Sequence, residues 1–208
     1  MIRGQVKICG LKDPGNILEV IQLKPDWIGL IFYPGSPRYI SDPKYLEFLN
    51  KLPDRPLTVG VFVNPDIKDI RNITEVIRLD AIQLHGSETP ELCEELRREG
   101  YTLIKAFGIH PGFDFNLTDP YHGKADYFLF DTGSPKLGGT GEQFAWSLLN
   151  KYQGETPYFL SGGLSPETQI FPNHRQFAGV DLNSRFETAP GIKHIGLLQK
   201  FLKQFRNE

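Results

Sequence analysis

"QVKICGLKDPGNILEVIQLKPDWIGLIF", residues 5–32, holds two short apolar runs with an amphipathic stretch between them. The runs "QVKIC" (5–9) and "WIGLIF" (27–32) read as strands, and residues 13–23 between them read as a helix. Asp13 stands where an N-cap belongs, and Pro14 fills the first helical position. A strand, a helix and a second strand in this order make a parallel pair covered by its crossover.

The unit recurs along the chain. Further apolar runs are "LTVGVFV" (57–63), "AIQLH" (81–85), "TLIKAF" (102–107), "YFLFD" (127–131), "PYFLS" (157–161) and "GVDLN" (179–183). Helix-like segments fall at 42–51, 66–78, 89–99, 143–152 and 165–171, with a last one at 191–206. Eight strands with intervening helices match the count of a closed (β/α)8 or TIM barrel. An open doubly wound sheet usually needs fewer strands, and no GxGxxG follows the first one. Residues 109–125, "IHPGFDFNLTDPYHGKA", lack helical period, so a shortened or missing fifth helix is expected. Ser87-Glu88-Thr89-Pro90 and Ser165-Pro166 repeat the capping device of the first helix. The expected fold is α/β: one barrel catalytic domain over residues 1–208.

Composition narrows the function. Of 208 residues 39% are hydrophobic, enough for a full core at this length. A net charge of −2 gives no reason to expect nucleic acid or an anionic membrane as partner. No apolar run nears the ~18 residues of a membrane span. The opening "MIRGQVKIC" lacks the secretory h-region of about 7–15 apolar residues. A cytoplasmic location is therefore expected. The two cysteines, Cys9 and Cys93, form no CxxC and have no His at metal spacing, so neither a disulfide framework nor a zinc site is expected. Cys93, in "PELCEELRRE", reads as a small apolar residue on a helix's inner face.

Polar residues gather where the apolar runs end, which in a barrel is the catalytic rim. Side chains alternate along a strand, so Lys7 and Cys9 share one face and Val6 and Ile8 the other. By the same rule Gln83 pairs with His85 and Gly179 with Asp181. An interior lysine beside a thiol favours the thiolate, which makes Cys9 a base or nucleophile; core packing is an equally good reading. Asp131 ends "YFLFDT", and a carboxyl leaving an apolar strand into a partly desolvated mouth suits a general acid; an N-cap or loop salt bridge fits as well. Arg38, in "YPGSPRYIS", has the planar fork that suits a carboxylate, from a ligand or from a neighbouring acid. His85, in "QLHG", is open to three roles: core imidazole, substrate contact or proton carrier. Glycine-rich loops follow two consecutive strands, and a short polar loop follows the third. "SPKLGGTGEQFAW" carries Gly139 and Gly141, "SGGLSP" carries Gly162 and Gly163, and "NSRFE" carries Ser184 and Arg185. Such loops let backbone N–H groups approach a phosphate.

The motifs "KICG", "IQLHG", "FDT…GGTGEQFAW", "LSGGLSPE" and "GVDLNSRFE…PGIK" resemble, in order, those of the phosphoribosylanthranilate isomerases, (β/α)8 enzymes of tryptophan biosynthesis. The resemblance runs from Lys7 to about Lys193. It implies an Amadori rearrangement of N-(5-phosphoribosyl)anthranilate without metal or organic cofactor, in a monomer or homodimer. By position it implies Cys9 as general base and Asp131 as general acid. Arg38 would bind the anthranilate carboxylate, and Asp181 would contact the sugar. Gly139, Gly141, Gly162, Gly163 and Ser184 would hold the phosphate. Lys7 and His85 are expected to line the substrate site. Where the family commonly has Ser-Ser-Gly-Val-Glu, this chain has Asn183-Ser184-Arg185-Phe186-Glu187, which places Arg185 near the phosphate as a substitute charge. An epimerase-like phosphosugar barrel would want metal-binding His and Asp at strand ends, and only one strand-end His is visible. A non-catalytic phosphosugar binder would tolerate loss of Cys9 and Asp131.

Overall fold

The structure, a computed structural model, describes residues 4–131, 146–169 and 171–206. Eight parallel strands close into a barrel in chain order. They are β1 (Gln5–Leu11), β2 (Trp27–Ile31), β3 (Leu57–Phe62), β4 (Ala81–Leu84), β5 (Thr102–Gly108), β6 (Tyr127–Asp131), β7 (Tyr158–Ser161) and β8 (Phe177–Leu182). All eight fall on the apolar runs read from the sequence. A short hairpin, β9 (Glu187–Ala189) with β10 (Ile192–Lys193), follows the last barrel strand.

The helix layer is less regular. Its α-helices are α1 (Pro14–Ile21), α2 (Ile67–Val76), α3 (Pro90–Arg98) and α4 (Ile195–Arg206). Asp13 caps α1 by accepting from the Asn16 N–H, and Thr89 caps α3 by accepting from the Leu92 N–H. The segment expected as a helix at 42–51 is a 3-10 helix, Pro43–Lys51. The shortened fifth helix is a 3-10 helix too, Phe115–Tyr121, with Pro120 inside it. Residues 146–148 form a helical turn that runs into a 3-10 turn at Leu149–Lys151.

Two expectations are corrected. The segment expected as a helix at 165–171 is not helical over its described residues, 165–169 and 171. Side chains close a turn there instead: the Ser165 N–H donates to Thr168 Oγ1, and the Glu167 N–H donates to Ser165 Oγ. Such bonds offer the backbone an alternative to a helix, and Pro172 disfavours helical geometry at Phe171. The last helix begins only at Ile195, because the β9–β10 hairpin takes residues 187–193. Asn16 on α1 fixes that hairpin: its Nδ2 donates to the Lys193 carbonyl, and its Oδ1 accepts from the Lys193 N–H.

Two apolar cores result from the strand alternation. Val6 and Ile8 pack outward with Ile17 and Val20 of α1. Cys9, Trp27, Val59, Ile104, Leu129 and Phe159 fill the interior. At the N-terminal end, Trp27 meets Tyr127 and Phe159 edge to face, with ring centroids 6.0 and 6.1 Å apart. This aromatic floor leaves the opposite rim as the open end of the barrel.

Behind the rim, a buried charge pair fixes the turn after β4. Glu88 accepts from the N–H groups of Asn64 (2.8 Å) and Gly86 (3.0 Å). Lys105, on the outer face of β5, sits 3.2 Å from Glu88 and donates to the carbonyls of Gly86 and Ala106. Both charges are out of water, so removing one leaves the other stranded. Lys105→Met should therefore lower the unfolding free energy by about 3–5 kcal/mol in urea titration. A loss below about 1 kcal/mol, typical of an exposed pair, would show that Lys105 does not hold this turn.

Candidate active site

Four strands deliver polar side chains to the open rim: Lys7 and Cys9 from β1, Gln83 from β4, Asp131 from β6 and Asp181 from β8. Parallel register sets Lys7 beside Asp181, and their side chains meet at 2.9 Å, both buried. His85, just past β4, points its Nε2 at Asp131 Oδ2 across 3.6 Å. The Gln83 side-chain nitrogen lies 3.0 Å from His85 Nδ1 and donates to it. The Gln83 carbonyl oxygen is buried with no hydrogen-bond partner among the described residues.

Cys9 is 3% exposed, and its neighbour strand makes room for it. A Cβ at Gly29, its register partner on β2, would lie 2.6 Å from the Cys9 sulfur. Burial pushes the thiol above its ordinary value; the Lys7 charge opposes this, Asp181 adds to it, and Lys193 opposes it again. Lys7 does favour the thiolate, as its spacing suggests, but burial outweighs it. Lys7 is charged, since burial pulls its ammonium down but Asp181 and Cys9 together raise it by more. Its charge is shared with a carboxylate and cannot serve the thiol alone.

Arg38 reaches the same rim from the loop after β2. Its shaft lies over Gly10, where a Cβ would come 2.5 Å from Arg38 Cδ, and Gly10 itself has a left-handed φ of +76°. The guanidinium pairs with Glu187 through Nε (2.9 and 3.1 Å) and Nη2 (2.5 Å). Glu187 also accepts from Lys193 Nζ (2.8 Å) and from the Gly191 N–H (3.1 Å). Burial pushes the Glu187 carboxyl up, but Arg38 and Lys193 bring it below the usual range. Glu187 and Lys193 were not singled out from the sequence. They lie beyond the last barrel strand, and "NSRFE…PGIK" was their only signal.

The candidate phosphate loops are described in part. Gly162 and Gly163 have successive φ values of +78° and +70°, a backbone that β-carbons disfavour. Ser184 and Arg185 are exposed in a 3-10 turn, Ser184–Phe186, anchored by buried Phe186. Gly139 and Gly141 lie outside the described residues. A cavity of about 850 Å3 is lined by Trp146, Ser165 and Phe171 among others, and by none of the candidate site residues that the structure describes.

A closed (β/α)8 barrel with a thiol and carboxyl groups at its open rim defines a barrel enzyme. The family profile described as N-(5'phosphoribosyl)anthranilate (PRA) isomerase matches residues 6–204. The N-(5'-phosphoribosyl)anthranilate isomerase of Parabacteroides distasonis is 46% identical over 203 residues, covering 96% of this chain and 92% of that protein. The one from Phocaeicola vulgatus is 42% identical and covers 98% of each. A crystal structure of phosphoribosyl anthranilate isomerase from Thermotoga maritima superposes with a TM-score of 0.83 at 32% identity, covering 99% of this chain and 100% of that one. A crystal structure of phosphoribosyl anthranilate isomerase in complex with reduced 1-(o-carboxyphenylamino)-1-deoxyribulose 5-phosphate superposes at 0.81. The chain belongs to the N-(5'-phosphoribosyl)anthranilate isomerase family, the isomerases of tryptophan biosynthesis.

The thiol's surroundings make a direct prediction. In a Cys93→Ala background, the ultraviolet thiolate absorbance of Cys9 should rise only above the ordinary thiol range of about 8.5. Adding Lys7→Met removes the charge that opposes ionisation and should move the rise to still higher pH. A rise below the ordinary range would contradict the dominance of burial.

Proposed function

We propose that the chain converts N-(5'-phosphoribosyl)anthranilate to 1-(2-carboxyphenylamino)-1-deoxyribulose 5-phosphate by an Amadori rearrangement, with Asp131 as general acid and Cys9 as general base. The observation that carries this reading is the arrival of both groups at one rim, from β1 and β6 of the same ring. Asp131 gives its proton to the ribose ring oxygen. The C1′–O bond breaks as the anilino nitrogen's lone pair forms the C=N bond of an iminium ion. That cation acidifies C2′, and the Cys9 thiolate removes the C2′ proton. The C–H electron pair becomes the C1′=C2′ bond of an enolamine and neutralises the nitrogen. Loss of the O2′ proton and protonation at C1′ then give the ketone.

Each step is a proton transfer, which needs no metal or organic cofactor. Such steps typically contribute about 10²–10⁴-fold each, with more from holding the open chain in place. Arg38 takes the anthranilate carboxylate, and Asp181, paired with Lys7, faces the sugar hydroxyls. His85 meets the substrate beside Asp131. Gly139, Gly141, Gly162, Gly163, Ser184 and Arg185 surround the phosphate. The reading treats residues 1–208 as one catalytic barrel, monomeric or homodimeric and cytoplasmic, with a small phosphosugar–anthranilate as its partner rather than nucleic acid or membrane. A solved relative is described as monomers of a dimeric phosphoribosylanthranilate isomerase. No helix among the described residues is long and apolar enough to cross a membrane.

Turnover is measured by the loss of anthranilate fluorescence from phosphoribosylanthranilate. Cys9→Ala and Asp131→Asn should each lower kcat at least about 100-fold with an unchanged melting profile. Wild-type turnover in either variant would remove that residue from its role.

A further inference from the structure

A guanidinium has two edges that can each hold a carboxylate through a pair of parallel N–H groups. One runs along Nε and Nη2, the other along Nη1 and Nη2. In this structure Glu187 occupies the first edge of Arg38 completely, using Nε and Nη2. The outer edge is different, because Nη1 makes no hydrogen bond among the described residues. Arg38 is 16% exposed, and its shaft lies over Gly10, the residue next to Cys9. The open edge therefore belongs to the same rim as the thiol.

Glu187 is itself held rigidly. It is 5% exposed and accepts from Lys193 Nζ and from the Gly191 N–H. Lys193 is fixed in turn by the Asn183 carbonyl, by Asn183 Oδ1 and, through its backbone, by Asn16. Below the guanidinium, Gly10 gives the arginine shaft a seat that no β-carbon could share. The side-on edge is locked and the shaft is bedded, so the planar fork has one orientation left. Its remaining donors face away from Glu187.

We propose that Glu187 is a positioning residue for the substrate: it clamps one edge of Arg38 so that the other edge is presented, pre-oriented, to the substrate's aromatic carboxylate. The inference rests on the reading of Arg38 as carboxylate anchor given above. The β9–β10 hairpin thereby becomes a specificity element, although it lies outside the barrel and carries none of the reacting groups. A free arginine samples many rotamers, and a bound carboxylate must collect it from all of them. Glu187 removes that cost before the substrate arrives.

The experiment uses two competitive inhibitors: reduced 1-(o-carboxyphenylamino)-1-deoxyribulose 5-phosphate, and the same compound without its carboxylate. Wild type should prefer the first. Glu187→Ala should weaken it by about tenfold and leave the carboxylate-free compound within about twofold of wild type. Glu187→Gln keeps an acceptor for both Arg38 and Lys193 and should lie between the two, which preserves the test if the alanine variant folds poorly. The Arg38→Ala, Glu187→Ala double variant should bind no worse than Arg38→Ala alone. Equal weakening of both inhibitors by Glu187→Ala, or additive losses in the double variant, would overturn the clamp. A preference for the carboxylate that survives Arg38→Ala would instead overturn the assignment of Arg38 itself.

Discussion

The ion pair between Lys7 and Asp181 is the constraint around which the site is organised. It lies where β8 meets β1, the seam at which the sheet closes on itself, and both partners are almost wholly removed from water. A lone charge in that position would be severely penalised, and a pair that matches in register is tolerated. The pair also sets the electrical condition of Cys9. It puts a cation within reach of the sulfur, but a cation already answered by a carboxylate. Burial therefore prevails and pushes the thiol above its ordinary value, and its basic form is strong when it appears, since a base of raised pKa binds its proton tightly.

Division of labour along the barrel axis follows from the same alternation. Toward the N-terminal end the inward positions hold Trp27, Tyr127 and Phe159; Trp27 meets the other two edge to face, and those two are tilted against each other. Toward the other end they hold Lys7, Cys9, Gln83, Asp131 and Asp181. The large rings exclude water from one side of the charged layer, which lowers the local dielectric and strengthens the contacts above. Glycine serves the same layer by absence: Gly29 leaves space for sulfur and Gly10 for the arginine shaft.

Most of the barrel was legible in the sequence because a strand buried on both faces reads as a short apolar run, and eight such runs stand out between polar segments. The inward direction of Lys7 and Cys9 was legible too, since period-two alternation needs only one outward-facing neighbour to fix it. Residues 165–171 were misread because hydrophobic spacing cannot register the bonds that Ser165 and Thr168 make to their own backbone. The second strand of the hairpin, Ile192–Lys193, was folded into the last helix, expected from 191, for a similar reason. Its identity depends on Asn16, far away in the chain. The charge state of Cys9 was not legible, because only its adjacent lysine is visible in the sequence, whereas the depth of its burial and the claim of Asp181 on that lysine are tertiary properties. The fork of Arg38 was recognised as a carboxylate binder, but the acid it meets in the chain itself was not.

The seam that joins Lys7 to Asp181 spans 174 positions of sequence. Among the contacts of this fold, such distant ones carry a heavy loop-closure cost and reward it only when both ends are in place. A ribosome emits Cys9 long before Asp181. Throughout that interval the sulfur lacks its closing strand and stands open to oxidants and electrophiles as an ordinary exposed thiol. The nascent chain thus passes through its most chemically vulnerable period before it can perform any chemistry of its own, and the eighth barrel strand is the one that ends it.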